Sequence, residues 1–203
     1  MSKNKLRIGE IYITEWDERP FRVIGFDDIE VFYDCIRSHH DSWAFSSNLK
    51  NNCSFYRTST SFFISKSKPI DYLPITEAEQ IVFRPDLPIR LCRSKDFNWI
   101  DFYSLTIKEL QVKVENLTDT IQTEKLTLIP FGNKGGLKKG VIISADNSEY
   151  FEASELIWKA KEILKSVNSQ ISKGVGIYRL GFEKGYPSYY IGEYFDKAGL
   201  LNE

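Results

Sequence analysis

The chain has 203 residues, of which 42% are hydrophobic, 27% charged and 14% aromatic, and this composition excludes disorder over its whole length. Its formal net charge of −1 lacks the basic excess of proteins that coat nucleic acid, although a local basic face is compatible with it. The length fits one domain or two small ones.

The first third of the sequence is rich in β-branched and aromatic residues, arranged in short runs. Residues 6–13, 21–26 and 29–35 are predicted strands, separated by turns at residues 17–20 and 27–28. Residues 54–65 are expected to add one or two more strands. The short turns favour an antiparallel meander.

This meander resembles an SH3-like small barrel. The segments that carry the resemblance are Gly9-Glu10-Ile11-Tyr12, Phe21-Arg22-Val23-Ile24-Gly25 and Val31-Phe32-Tyr33. The resemblance implies an SH3-like β-barrel module over residues 1–75 and a surface for peptides, nucleic acids or protein partners. Residues 76–203 are then predicted to form an α+β domain with two main helices and antiparallel hairpins, so that the whole chain is α+β.

Two capping boxes and one strong amphipathic stripe define the helices of the second part. Thr76 and Thr106 each precede a glutamate by three residues, which predicts helices from about residue 77 and over 107–121. Apolar residues alternate after position 109, so a strand is the alternative prediction for the segment at 107–121. An apolar stripe predicts a helix over 154–169. Predicted strands or hairpins lie at 89–92, 99–103, 125–130, 140–144, 149–151, 175–180 and 188–191, and a terminal helix at 193–198.

One window brings together residue types that bind zinc. Cys35, His39 and His40 lie close together in the sequence, and Cys53 follows. Thiolate and imidazole are preferred zinc ligands, but the spacing matches no standard finger. The alternative is a polar loop with one buried cysteine. This alternative is favoured over a metal site, and zinc is the metal that these residue types would bind.

Residues 132–140 form a loop rich in glycine and lysine. Lys134, Lys138 and Lys139 with the flexible backbone could hold phosphate, which would suit a nucleic-acid-associated protein. The Gly-Lys-Ser/Thr ending of a P-loop is absent, and a strand is predicted where a helix should follow. The simpler alternative is a hairpin loop whose lysines keep it soluble.

The surplus of aromatic residues is the best indication of a binding surface. Tyr33, Trp43, Phe45 and Tyr56 in the barrel-like part are candidates for contacting a protein partner or stacking on bases. A second group of aromatic residues crowds the C-terminal part, around Tyr189 and Tyr190. The alternative is that these rings fill the core, and at least half are expected to be buried.

These observations together favour a non-catalytic interaction or adaptor protein. Motifs of hydrolases, metalloproteases and dinucleotide-binding enzymes are absent, and histidine occurs at two positions only. Protein binding is the first hypothesis, nucleic-acid association through the loop at 132–140 the second, and a metal-dependent enzyme around Cys35, His39 and His40 the third. No apolar run suits a membrane helix or a signal peptide, and a cytoplasmic location is expected.

Overall fold

The protein is a mixed α+β chain in the computed structural model, which describes residues 6–39, 42–45, 53–95, 98–114, 119–131, 136–167 and 174–193. For residues 37–39, 42–45, 53–54 and 111 it describes only the backbone. The strands are β1 (Glu10–Thr14), β2 (Phe21–Phe26), β3 (Glu30–His39), β4 (Ser42–Phe45), β5 (Cys53–Ser54), β6 (Tyr56–Ser59), β7 (Ser67–Tyr72), β8 (Arg90–Ser94), β9 (Thr120–Ile121), β10 (Lys125–Pro130), β11 (Val141–Ser144), β12 (Phe151–Glu152), β13 (Val175–Glu183) and β14 (Tyr186–Gly192). The helices are α1 (Thr60–Lys66), α2 (Glu77–Phe83), α3 (Trp99–Ser104), α4 (Ile107–Lys113) and α5 (Ala153–Ser166).

The first sheet confirms the predicted antiparallel meander. Its strand order is β4-β3-β2-β1-β7, and β6 also pairs with β3. Each neighbouring pair in this sheet is antiparallel, and the register shifts once between β1 and β7 and once between β2 and β3. Tyr12, Phe21 and Tyr33 from its strands pack with Phe63 of α1 in one buried cluster. The helix α1 therefore covers one face of the first sheet.

The prediction of strands throughout residues 54–65 was wrong for its second half, which is helical. The Ser59 side chain accepts a hydrogen bond from the Phe62 backbone N–H and so begins α1. Phe63 is completely buried. Aromatic residues and isoleucine favour strands intrinsically, but this preference is weak and tertiary packing of Phe63 overrides it.

The second sheet is mixed, with the order β11-β10-β14-β13-β5 and with β8 also paired to β13. The pairing of β10 with β14 is parallel, whereas the other pairs are antiparallel. The predicted hairpin at residues 175–191 is confirmed as β13 and β14, which turn at Lys184 and Gly185, both at positive φ. A glycine at that position is suited to the left-handed backbone of a tight turn.

Helices α3, α4 and α5 pack with the second sheet in the largest core of the described residues. The predicted long helix is confirmed as α5, which buries Leu156, Ile157, Ala160 and Leu164. A short strand pair, β9 with β12, lies beside this core. None of the described helices has the length and hydropathy needed to cross a membrane.

Two predicted elements of this part need correction. Residues 99–103, expected to be a strand, form α3, because Asn98 caps the helix and both Trp99 and Phe102 turn into the core. The helix expected over 107–121 ends at Lys113, and residues 120–121 pair as β9 instead. Among the described residues from 76 onwards there are four helices, α2 to α5, where two main ones were predicted. The predicted terminal helix at 193–198 lies almost wholly outside the described residues.

Contacts join the two parts of the chain. Ile24, Phe32 and Phe55 pack in one buried cluster with Phe83, Ile89 and Phe182. The strand β5 leaves the first part and pairs with β13 of the second sheet. A domain boundary between residues 75 and 76 stays a prediction. Such a boundary would place the members of this one cluster in two different domains.

Candidate functional site

Three exposed aromatic rings lie at the rim of the first sheet, and we call them the aromatic surface: Trp16, Tyr56 and Phe62. Their residues are 39%, 44% and 41% exposed, respectively. Trp16 and Phe62 are in contact, with ring centroids 5.1 Å apart. Phe62 is presented by α1, Trp16 by the loop after β1, and Tyr56 by the first residue of β6.

Buried rings connect the members of the aromatic surface. Trp16 lies 6.1 Å from Phe63, and Phe63 lies 5.3 Å from Tyr33. Tyr33 stacks on Tyr56 at 5.9 Å, with an angle of 15° between the ring planes. Burial raises the pKa of Tyr33 to about 12, so its hydroxyl stays protonated at neutral pH. The exposed rings are thus held by a packed core beneath them.

A cation lies at the edge of the aromatic surface. The guanidinium of Arg19 lies 5.8 Å from the centre of the Tyr56 ring, within the range of a cation–π contact. Hydrogen bonds with Arg19 lower the pKa of Asp17 to about 2 and orient the guanidinium. A partner meeting this surface would therefore contact apolar rings and the Arg19–Asp17 ion pair.

Of the four aromatic residues predicted to bind, the structure brings two together. Tyr33 and Tyr56 are stacked, but Tyr33 is buried and serves as a support for Tyr56. The backbones of Trp43 and Phe45 lie in β4, paired with β3, and their side chains are outside what is described. The sequence interpretation missed Trp16, although an aromatic residue just before a polar turn is a recognisable signal.

The aromatic residues of the C-terminal part are mostly core. Tyr189 and Tyr190 are adjacent in β14 and therefore point to opposite faces of the sheet, yet both are buried. At Tyr190 the second face of the sheet is covered by Arg57 of β6, whose guanidinium lies 4.9 Å from the ring centre and donates a 2.6 Å hydrogen bond to the Tyr190 hydroxyl. Burial raises the pKa of both tyrosines.

The strands on either side of residues 132–140, β10 and β11, pair in antiparallel fashion, as predicted for a hairpin. The backbone N–H of Lys138 donates to the carbonyl of Pro130 at 2.9 Å, and Lys138 and Lys139 are exposed. Lys134 lies outside the described residues. Two lysines are therefore accessible at this hairpin, and their contact with phosphate stays a prediction.

The structure separates two of the four candidate zinc ligands between different sheets. Cys35 of β3 is buried opposite Phe21, and burial raises the pKa of its thiol. Cys53 pairs through its backbone with β13 of the second sheet. Within the described part of the chain, no group of three or more potential ligands is arranged for a metal. The side chain of His39 is not described and His40 lies outside, so zinc binding stays untested.

A cavity of about 360 Å³ opens beside the cluster that joins the two parts of the chain. Its apolar lining includes Ile24, Phe32, Phe55, Phe83 and Ile89, which belong to that cluster. Its charged lining consists of Asp27, Arg84, Asp86, Arg90, Arg93 and Arg179. The sequence interpretation did not find this cavity, because its walls come from β2, β3, α2, β8 and β13.

Two of the arginines in the cavity wall are paired with aspartates. Arg90 of β8 donates to the Asp27 carboxylate, which also accepts backbone N–H groups in the β2–β3 turn. Arg84 is 2.7 Å from the Asp86 carboxylate, and hydrogen bonds from Arg84 lower the pKa of Asp86. These pairs fix two guanidinium groups at the cavity edge.

Glu30 of β3 is a buried acid near Arg90, and its ionisation opposes folding. Desolvation raises the pKa of its carboxyl above the usual 4.5, although Arg57 and Arg90 favour the charged form. A raised pKa means that the stabilisation by Glu30 is complete below pH 4.5 and is lost as the pH rises through the folded-state pKa. We expect Glu30→Gln to resist urea better than the wild type at about pH 8, with a difference that shrinks towards acid pH.

Urea midpoints measured at several pH values test this expectation. The wild type and the variant need the same buffers and ionic strength, because screening alters the contribution of the neighbouring arginines. A variant that is less stable than the wild type at alkaline pH would show that the arginines outweigh the burial of Glu30.

Comparisons with known proteins do not assign this chain to a family. No protein-family description matches the chain, and no curated protein or solved structure is significantly similar to it. The candidate sites rest on their geometry and chemistry alone.

Proposed function

We propose that the protein is a non-catalytic interaction protein, which binds a protein partner through the aromatic surface. The observation that carries this proposal is the contact chain of rings from Phe62 through Trp16, Phe63 and Tyr33 to Tyr56. Single exposed apolar residues are normal, whereas exposed residues in contact, such as Trp16 and Phe62, mark interaction sites, and Tyr56 is joined to this pair through buried rings. Tryptophan and tyrosine are also the residue types that dominate binding energy in protein interfaces.

The rings of the aromatic surface are suited to binding because they are already held in place. Tyr56 is stacked on the buried Tyr33, and Trp16 is packed against Phe62 and the buried Phe63. Immobilising flexible side chains on binding costs about 0.5–1.5 kcal/mol each, and preorganised rings avoid part of that cost. The Arg19–Asp17 ion pair beside Tyr56 adds polar groups that can hydrogen-bond with the partner at the edge of the rings.

An SH3-like barrel is our proposal for the first part of the chain. The strand order β6-β3-β2-β1-β7, with α1 between β6 and β7, supports it, since the last strand returns to the first through one short helix. Small barrels of this kind commonly present aromatic residues to extended peptides. The aromatic surface would then be the peptide-binding face of the barrel.

The proposal is tested by affinity purification from the native host with three forms of the chain. We expect the wild type to retain a stoichiometric protein and the double variant Tyr56→Ala/Phe62→Ala to lose it, with an affinity loss of about 2 kcal/mol or more. Ile81→Ala on α2 is the matched control, because Ile81 is 74% exposed and lies outside the aromatic surface. The retained protein is then purified and its affinity measured directly against all three forms.

Two results would contradict the aromatic surface as the binding site. One is equal retention of the same protein by the wild type and the double variant, with both variants folded by urea titration. The other is loss of retention in the Ile81→Ala control.

The same affinity-purified sample also tests the alternative function, which is association with nucleic acid. A nuclease-sensitive rise in the 260/280 nm absorbance ratio, reduced in Lys138→Gln/Lys139→Gln, would favour it. Neutralising lysines that contact phosphates would also lower the salt dependence of binding.

A further inference from the structure

The strand β11 is an edge of the second sheet, and its outer side is unpaired among the described strands. The backbone N–H of Ala145, just after β11, donates to the carbonyl of Glu124, just before β10, at 2.8 Å. Because successive residues of an antiparallel strand bond to opposite sides, the backbone groups of Ile142 and Ser144 point away from β10. Lys159 donates to the Ser144 carbonyl at 2.6 Å, so the open part of this edge is centred on Ile142.

The side chains along this edge are apolar. Val141 and Ile142 are 42% and 41% exposed, and Leu137 before the strand is also exposed. Proteins commonly protect an open edge with a charged residue, a proline or a bulge, and β11 itself contains none of these. Exposed apolar residues beside open backbone groups favour pairing with a further strand.

Opposite charges flank β11 at its two ends. Lys138 and Lys139 precede the strand and are exposed, whereas Asp146 follows it with a side chain that is 80% exposed. Asp146 and Glu155 share the ammonium group of Lys159, which lies 2.7 Å from each carboxylate. These three groups carry one net negative charge, so the edge is basic at its start and acidic at its end.

Two identical β11 strands match each other when they pair in antiparallel fashion. A two-fold axis at Ile142 pairs this residue with itself and Val141 with Ile143 of the second copy, so apolar side chains meet on both faces of the sheet. The same register brings Lys138 and Lys139 of each copy beside Asp146 of the other. This match of charge at both ends is the observation that favours a second copy over an unrelated strand.

We propose that two copies of this chain associate through antiparallel pairing of their β11 strands, so that the second sheet continues from one copy into the other. The pairing uses the same edge on both copies, so it closes as a dimer and does not extend into a fibre. A strand of four residues makes a small interface, and a weak dimer with a Kd of roughly 10–500 µM is expected. The β11 edge belongs to the second sheet, and its pairing does not depend on the function proposed for the aromatic surface.

Sedimentation velocity of the full chain from about 5 µM to 1 mM tests the dimer, and we expect a reversible monomer–dimer equilibrium. Ile142→Pro removes the N–H that points away from β10, and proline is tolerated at such a position of an edge strand. Ile142→Lys keeps the N–H but places two like charges at the two-fold axis. Each variant is expected to weaken dimerisation by about tenfold or more. Ile81→Lys, the same change at an exposed isoleucine of α2, is the control and should leave dimerisation unchanged.

Charge reversal tests the register of the two strands. Lys138→Glu/Lys139→Glu places acidic residues beside Asp146 of the second copy and is expected to weaken dimerisation by about fivefold or more. Adding Asp146→Lys to this variant should restore dimerisation, which a general effect on the fold would not do. Circular dichroism verifies that each variant is folded.

Three outcomes would overturn the proposal. The first is a wild type that stays monomeric over the whole concentration range, including the case in which the β11 edge instead retains a different protein that Ile142→Lys loses. The second is a dimer of unchanged affinity in Ile142→Lys, which decides alone if Ile142→Pro does not fold. The third is unchanged dimerisation in Lys138→Glu/Lys139→Glu, which would exclude the register through Ile142.

Discussion

Trp99→Ala is expected to lower the free energy of unfolding by about 3–5 kcal/mol, the range for removing a large buried ring. Trp99 is completely buried, contacts Phe102 edge-to-face at 5.4 Å, and donates from Nε1 to the carbonyl of Gly192 at 2.7 Å. The ring thereby connects α3 to the end of β14. Urea unfolding measures the loss, with far-ultraviolet circular dichroism as the signal because it reports on the backbone and does not need the tryptophan.

Two further variants separate the contributions of Trp99. Trp99→Phe keeps most of the packing and removes the donor to Gly192, so we expect a smaller loss of about 1–3 kcal/mol. Ile100→Ala is the matched control in the same helix, because Ile100 is exposed, and its effect should stay within about 0.5 kcal/mol. A loss in Trp99→Ala no larger than that in Ile100→Ala would contradict the packing described for α3.

Glu79→Gln is expected to destabilise the protein by about 3 kcal/mol, the low end for removing one partner of a buried ion pair. Nη2 of Arg22 lies 2.9 Å from Oε1 of Glu79, and the side chain of Arg22 is completely buried. Burial lowers the pKa of Arg22 to about 10, with the Glu79 carboxylate opposing that shift, so the guanidinium is charged at neutral pH. Losing the carboxylate leaves this cation without its salt bridge to α2.

The chain offers a close control for Glu79→Gln. Glu79 and Glu109 occupy the same third position of a capping box, but Glu109 is on the surface. Glutamine suits that position in both helices, so Glu109→Gln should have a much smaller effect than Glu79→Gln. Equal effects of the two glutamate substitutions would rule out an important ion pair.

Local signals predicted the elements that local interactions determine. The capping boxes at Thr76 and Thr106 both form with the two expected hydrogen bonds, and the apolar stripe of α5 and the hairpin of β13 and β14 are present. Two of the errors fall at α1 and α3, where aromatic and branched residues favour strands but a buried ring fixes a helix. Phe63 and Trp99 owe their positions to partners distant in sequence, which periodicity does not reveal.

The candidate sites could be predicted only in part. Tyr56 was identified from composition, but its contact with Trp16 through buried rings depends on α1 crossing the sheet. Arg22 and Arg179 each interrupt an apolar run in a strand, which indicates a buried cation. Their partners lie far along the chain, at Glu79 and at the carbonyl of Phe83, so the sequence does not name them.

The parallel pairing of β10 with β14 has a consequence for synthesis on the ribosome. The pair β13 and β14 lies at the centre of the second sheet, with β10 on one side and β5 and β8 on the other. A nascent chain therefore carries β5, β8 and β10 without their neighbours β13 and β14 until residues 175–192 have emerged. Unpaired strand edges invite intermolecular association, so translation leaves this protein most exposed to aggregation just before its central hairpin forms.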